Sequence, residues 1–183
     1  MRAVLILLFI LFAPQFVNAA PAKKAAKTVK KAPVLVWPHL SRANSGDITN
    51  VRMVQLLLRH RGFYKAGIDE VFGPKTEAAI KAFQKTAGLK VDGVVGPQTW
   101  NKLTVRVKRS DKNDAVKAIQ QVFDYGYSET GDESLNLTAD GFGFFGPKTE
   151  SAVRGTQKEA RLKVDGVVGP QTWCILAGGK VKQ

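Results

Sequence analysis

Cysteine occurs once in the 183 residues, at Cys174, and histidine twice, at His39 and His60. A single thiol excludes an intramolecular disulfide, so any small exported domain in this chain has to stand on side-chain packing. A nucleophilic cysteine would need a neighbouring base, yet His39 falls before the first predicted helix and His60 late within it. No spacing of histidine, cysteine and acid resembles a three-ligand zinc site. Acidic residues are also scarce, 15 against 28 lysines and arginines, which leaves a net charge of +13 and points to an anionic partner. The basic residues carry no zinc-finger or other nucleic-acid-binding signature, so nucleic acid is not expected.

Long apolar runs are missing too. The longest, Val4 to Phe12, ends before Pro14 and falls well short of the roughly twenty residues that span a bilayer. With Arg2 before it and Val17-Asn18-Ala19 after it, Met1 to Ala19 reads as a secretory signal peptide, with cleavage after Ala19. No cysteine follows to carry a lipid. The mature chain is therefore expected to be exported, with no membrane span. Residues 20–44 are expected to form a disordered arm, in which Lys23, Lys24, Lys27, Lys30 and Lys31 have no acid among them. The arm reads equally as an electrostatic tether and as a solubilising spacer.

What the chain does have is a repeat. Phe72 to Trp100 returns seventy-three positions later as Phe145 to Trp173, with about three-quarters of the residues identical. In the first copy Gly73-Pro74 starts a helix, because proline at the first helical position gives up only an amide that has no partner there. Ala79, Ile80, Phe83 and Ala87 recur at helical spacing, and Gly88 closes the helix in the left-handed conformation. Asp92-Gly93 then makes a turn, and Gly96-Pro97 starts a short helix with Trp100 and Leu103. Upstream, Asp47 caps a helix from Ile48 to Arg61 with Val51, Val54, Leu57 and Leu58 on one face. Its counterpart runs from about Asn113 to Asp124, with Val116, Ile119 and Phe123 on one face, and is closed by Gly126-Tyr127.

Val51, Val54-Gln55, Leu58, Gly62-Phe63, Asp69, Phe72-Gly73-Pro74, Thr76, Phe83-Gln84, Gly88-Leu89, Asp92-Gly93, Gly96-Pro97 and Thr99-Trp100 together resemble the helical peptidoglycan-binding domain family. The resemblance implies an all-α chain of two tandem three-helix domains. The expected division is a signal peptide at 1–19, the basic arm at 20–44, domain one at 45–103, a linker at 104–110, domain two at 111–177 and a tail at 178–183. It also implies a non-catalytic module that holds peptidoglycan or another anionic wall polymer, in the periplasm, on the cell wall or outside the cell. Two linked sites would gain avidity on a repeating polymer. Two rivals stand beside this reading. One is a small wall-lytic hydrolase with its active site in the longer loop of domain two, at 127–144, and the other is a module that holds an envelope protein partner.

The second copy departs from the first in that loop, at Thr156 in place of Phe83 and at Arg161 in place of Gly88, so weaker packing is expected there. A binding groove is expected between the Gly-Pro helix starts of each domain. Its rim would be Asp69, Thr76, Asp92, Thr99 and Trp100 in domain one, and Asp140, Thr149, Asp165, Thr172 and Trp173 in domain two. Lys75 and Lys148 would pair with an anion held by free helix-start amides. Against this, tryptophans in such a unit more often fill the core than stack on a ligand, and the threonines read also as partners of backbone groups in the first helical turn. Hydrolysis of a glycoside needs two carboxylates across a cleft. Asp69, Glu77, Asp92, Asp140, Glu150 and Asp165 are instead spread through turns and helix starts, where acids are favoured for other reasons. No catalytic residue, metal ligand or cofactor is expected.

Overall fold

Each predicted Gly-Pro start opens a helix, because the proline ring presets the helical φ at a position whose amide is unpaired anyway. The computed structural model describes residues 32–130 and 137–182. The expected signal peptide and the five arm lysines lie outside the described residues, as does the middle of the longer loop. The first repeat forms α1 (Ile48–His60), α2 (Pro74–Thr86) and α3 (Pro97–Leu103). The second forms α4 (Asp114–Thr130), a 3-10 turn at Leu137–Asp140, α5 (Pro147–Glu159) and α6 (Pro170–Leu176). Two short strands, β1 (Val34–Val36) and β2 (Lys180–Lys182), pair antiparallel with Leu35 opposite Val181. The fold is all-α in character, and Ala32–Gln183 makes one compact unit in which α1 packs on α4.

The apolar stripes do what their spacing predicts. Val51, Val54, Leu57 and Leu58 of α1 are buried with Ile80 and Phe83 of α2 and with Trp100 and Leu103 of α3. Asp47 caps α1 by accepting the amide of Thr49 at 2.9 Å. In the second repeat Val116, Ile119, Phe123, Val153 and Trp173 are buried in the same way. Each tryptophan donates its indole N–H to a carbonyl of the segment that precedes its own repeat, Trp100 to Pro38 at 2.9 Å and Trp173 to Val105 at 2.6 Å. Those segments also make equivalent bridges, Leu40 with Val95 and Val107 with Val168. An extended piece of chain before α1 or α4 is thus part of each repeat.

This corrects two expectations. Val34–Val36, assigned by composition to a disordered arm, is a strand, and its partner β2 was expected to be a free tail. The lysine content of residues 23–31 masked the alternation that follows, in which Leu35 is half-buried and Trp37 and Leu40 are 3 % and 1 % exposed. Trp37 stacks on Trp100 with centroids 5.4 Å apart and donates to Asn101 at 3.2 Å. Residues 104–110, expected to be a solvated linker, are tied in. Val107 is fully buried, and the Arg61 guanidinium donates to the carbonyls of Lys102, Leu103 and Thr104 at 2.8–3.1 Å. Arg59 adds a two-pronged ion pair with Asp114 across the α1–α4 contact.

The second repeat shows three further differences. Helix α4 runs on to Thr130 instead of closing at Gly126, because a glycine within a helix costs only about 1 kcal/mol relative to alanine and does not stop it. Thr156, in the place of Phe83, returns its hydroxyl to the Ala152 carbonyl at 3.1 Å. The Phe63–Phe83 edge contact of repeat one is lost with that change. Leu137, in the longer loop, is fully buried in a 3-10 turn packed on α5 and α4.

Arg161 adopts φ +54°, the conformation that Gly88 takes at φ +67° in the equivalent helix end. A side chain there costs about 1 kcal/mol. Arg161→Gly is expected to raise the thermal midpoint by a few degrees, measured by circular dichroism of the full chain.

Candidate functional site

Four buried glutamines organise the loops that face the surface. Gln84 in α2 donates to Asp92 Oδ1 (2.9 Å), the Val94 carbonyl (2.9 Å) and Thr99 Oγ1 (3.2 Å), while its oxygen accepts the Gly93 amide at 2.9 Å. Gln157 in α5 repeats the pattern with Asp165, Val167, Thr172 and Gly166 at 2.9–3.3 Å. Gln55 in α1 donates to Tyr64 Oη, Asp69 Oδ1, the Val71 carbonyl and Thr76 Oγ1, and accepts the Glu70 amide. Gln120 in α4 donates to the carbonyls of Gly141 and Phe144 and to Thr149 Oγ1, and accepts the Gly143 amide at 2.6 Å. A primary amide is the one neutral side-chain group that donates twice and accepts at its other end, so a single buried residue can hold a whole turn.

These contacts account for most of the residues expected at the groove rim. Thr76, Thr99, Thr149 and Thr172 are at most 4 % exposed, and their hydroxyls accept from the four glutamines. Trp100 and Trp173 are fully buried, so the core position that the sequence also allowed is the one they occupy. Asp69, Asp92 and Asp165 each accept the amide two residues on, closing their own turns. Asp140 instead takes the amides of Lys148 and Thr149 at 3.2 and 2.6 Å, so the start of α5 is not free for an anion. Lys75 and Lys148 are exposed near those first helix starts. Glu77 and Glu150 are engaged in ion pairs, with Lys81 at 2.6 Å and with Arg154 at 2.9 Å.

The turns so held leave two matching clefts. In repeat one a cleft of about 210 Å³ lies between the end of α2 and the start of α3, lined by Leu89, Lys90, Asp92, Val94, Pro97 and Gln98. In repeat two a cleft of about 400 Å³ is lined by Leu162, Lys163, Asp165, Val167, Pro170 and Gln171, the same positions one repeat later. Lys90 and Lys163 reach into solvent, their side chains 85 % and 86 % exposed. Each is loosely paired with the carboxylate beside it, at 3.7 and 3.5 Å. Each cleft therefore offers an apolar floor, one mobile ammonium, one carboxylate and one primary amide. The clefts sit at the second Gly-Pro start of each repeat and the Asp-Gly turn before it.

The chain matches the family model described as "Putative peptidoglycan binding domain" twice, over residues 48–103 and 112–176. The chain belongs to this peptidoglycan-binding domain family. Among curated relatives, this family member is 29% identical over 160 residues to an N-acetylmuramoyl-L-alanine amidase of Bacillus licheniformis, covering 73% of the chain and 43% of the relative. It is 37% identical over 78 residues to a spore cortex-lytic enzyme of Bacillus cereus, covering 43% and 29%. It is 36% identical over 100 residues to the zinc D-Ala-D-Ala carboxypeptidase of Streptomyces albus G, covering 50% and 38%. The chain thus spans less than half the length of each. No solved structure matches it.

These names correct the expectation that this peptidoglycan-binding chain is not an enzyme. The three relatives are named as an amidase, a cortex-lytic enzyme and a carboxypeptidase, whereas the expectation followed from a resemblance that covers the binding repeats alone. Among the described residues no three of histidine, cysteine, aspartate and glutamate come together as a metal site, and no helix is long and apolar enough to cross a membrane. Of the cleft residues, Lys90, Gln98, Lys163 and Gln171 were missed. Their signal was present in the sequence, since all four fall within the near-identical stretch of both copies.

Two predictions follow from the amide network. Gln84→Ala strands the Gly93 amide and the Val94 carbonyl, and is expected to destabilise the fold by about 3 kcal/mol in urea denaturation. Lys90→Ala, exposed at the same cleft, is expected to change stability by less than about 0.5 kcal/mol.

Acid pH tests the same contacts. The Gln55 amide and then the Val71 N–H hold the Asp69 carboxyl below its ordinary value of 3.8. The Val94 and Val167 amides, followed by the glutamines, do the same for Asp92 and Asp165. A carboxyl depressed by folding contributes stability that is complete above 3.8 and is lost as pH falls through its folded value. Burial pushes Asp124 the other way, so its ionisation opposes the fold above 3.8. With Glu77, Asp114 and Glu150 lowered as well, six depressed carboxyls among the described residues stand against this one, so the thermal midpoint is expected to fall below about pH 4, and Asp92→Asn is expected to flatten that fall.

Proposed function

We propose that the chain is a peptidoglycan-binding protein that acts at the cell wall in wall hydrolysis, with the two equivalent clefts as its binding sites. The observation that carries the reading is the repetition of one lining at both clefts, within a chain whose family is peptidoglycan-binding. Peptidoglycan presents apolar sugar faces, N-acetyl groups, peptide amides and free carboxylates. Leu89, Val94 and Pro97 suit the first of these, Gln98 the amides, and Lys90 a stem-peptide carboxylate, with Leu162, Val167, Pro170, Gln171 and Lys163 as the second set. Asp92 and Asp165 stand at the cleft edge and accept from N–H groups. Asp69, Asp140 and the four threonines shape the backbone from behind, as Trp100 and Trp173 do from the core.

The hydrolytic part rests on the names of the relatives, which are amidases, cortex-lytic enzymes and a carboxypeptidase. An exported location follows from the same reading, since the polymer lies outside the cytoplasm.

The test has two arms. Chain from Ala20 onward is expected to pellet with purified sacculi at both low and high salt, because cleft contacts are screened less than a lysine arm would be. Pelleting that salt abolishes would remove the clefts as the sites. Dye-labelled sacculi are expected to lose dye faster with the chain present, either alone or beside a wall amidase. No change in either case would overturn the hydrolytic part.

A further inference from the structure

The segment just before α1 lines both clefts. Pro33 and Leu35 form part of the wall of the repeat-two cleft, and His39 forms part of the wall of the repeat-one cleft. This segment lies outside both stretches matched by the family model. It is firmly seated. β1 pairs with β2, Trp37 is stacked on Trp100, and Leu40 bridges to Val95 with 2.9 and 3.3 Å hydrogen bonds. At the far end Gly179 lets β2 turn back against β1, since a Cβ there would stand 2.5 Å from the Val36 carbonyl and 2.6 Å from Cys174 Sγ.

Leu35 and His39 are four positions apart in extended chain, which sets their spacing at no more than about 14 Å. The two clefts therefore take part of their walls from neighbouring positions of one segment. The repeats cannot swing relative to each other on a loose tether, because the Arg59–Asp114 pair, the three Arg61 bonds and the buried Val107 lock residues 102–114 in place.

We infer that the two clefts and the Pro33–Leu40 segment form one composite site that holds a single peptidoglycan strand, with adjacent stretches of one polymer in the two clefts. The inference rests on the wall-binding reading above. It differs from two independent modules, each of which would hold its own fragment. The cleft chemistry fits a repeating polymer, since the same ammonium, amide and apolar floor recur at fixed spacing, as disaccharide-peptide units do. His39 adds an imidazole to the first cleft where the second has Leu35, so the two halves are not interchangeable and the bound strand has a direction.

Titration calorimetry of the full mature chain with soluble, size-fractionated disaccharide-peptide oligomers tests this. Lengthening the oligomer enough to reach both clefts is expected to tighten binding about 100-fold, at one oligomer per chain. Lys90→Glu and Lys163→Glu, each singly, are expected to return the long oligomer to the affinity of the short one. His39→Ala is expected to weaken the long oligomer severalfold without moving the thermal midpoint. All three side chains are at the surface, so a folding defect does not confuse the result. Two oligomers per chain with no dependence on length would overturn the composite site while leaving wall binding intact. Failure of the wild-type chain to pellet with sacculi would remove the underlying reading and this one with it.

Discussion

A buried primary amide that satisfies an entire turn is the constraint on which the rest of this structure depends. Gln55, Gln84, Gln120 and Gln157 are each no more than 1 % exposed, and each exchanges hydrogen bonds with a loop that would otherwise face the core with unpaired backbone groups. Leaving one such group unpaired costs about 1–3 kcal/mol, so four satisfied loops are a large share of what a small disulfide-free unit can have. The helices supply the apolar surface. The glutamines fix where the loops between the helices go, and the clefts are the surfaces those loops leave behind.

Stability and binding are separated within the same few residues. In the stretch from Leu89 to Thr99, the side chains that point inward, Val95 and Thr99, are buried, while Lys90 and Gln98 are exposed. Asp92 belongs to both sets, since one oxygen closes the turn and the other lies toward Lys90. A rigid backbone with mobile polar ends is suited to gripping an extended polymer, because the ordering cost falls on few side chains.

The second repeat shows how much change this arrangement tolerates. Losing the Phe83 ring at Thr156 and the glycine at Arg161 leaves the Gln157 network intact, with every contact of Gln84 reproduced. What is preserved is the hydrogen-bonded turn, and what varies is how the apolar volume behind it is filled.

The helices, their Gly-Pro starts, the Asp47 cap and the repeat were legible in the sequence, because each rests on local chemistry: proline's fixed φ, an aspartate that reaches its own helix's amides, and apolar spacing at 3.6 residues. The family was legible for the same reason, since its pattern is made of those local features. The strand at Val34–Val36, the bonds from Arg61 to the carbonyls of Lys102, Leu103 and Thr104, the burial of Val107 and the burial of Thr76, Thr99, Thr149 and Thr172 were not legible. They depend on partners up to 148 residues away, as in the pairing of Val34 with Lys182, and no local propensity carries that information. Composition made 20–44 look like a uniform basic arm, although its last residues are held by packing on Trp100. By itself the sequence determined where the helices start and which family they make, because those features rest on local chemistry. Only the tertiary structure decided that threonines and tryptophans which look ready to touch a ligand are turned inward, and that the segment before α1 contributes to the clefts of both repeats, because those placements depend on contacts between residues far apart in the chain.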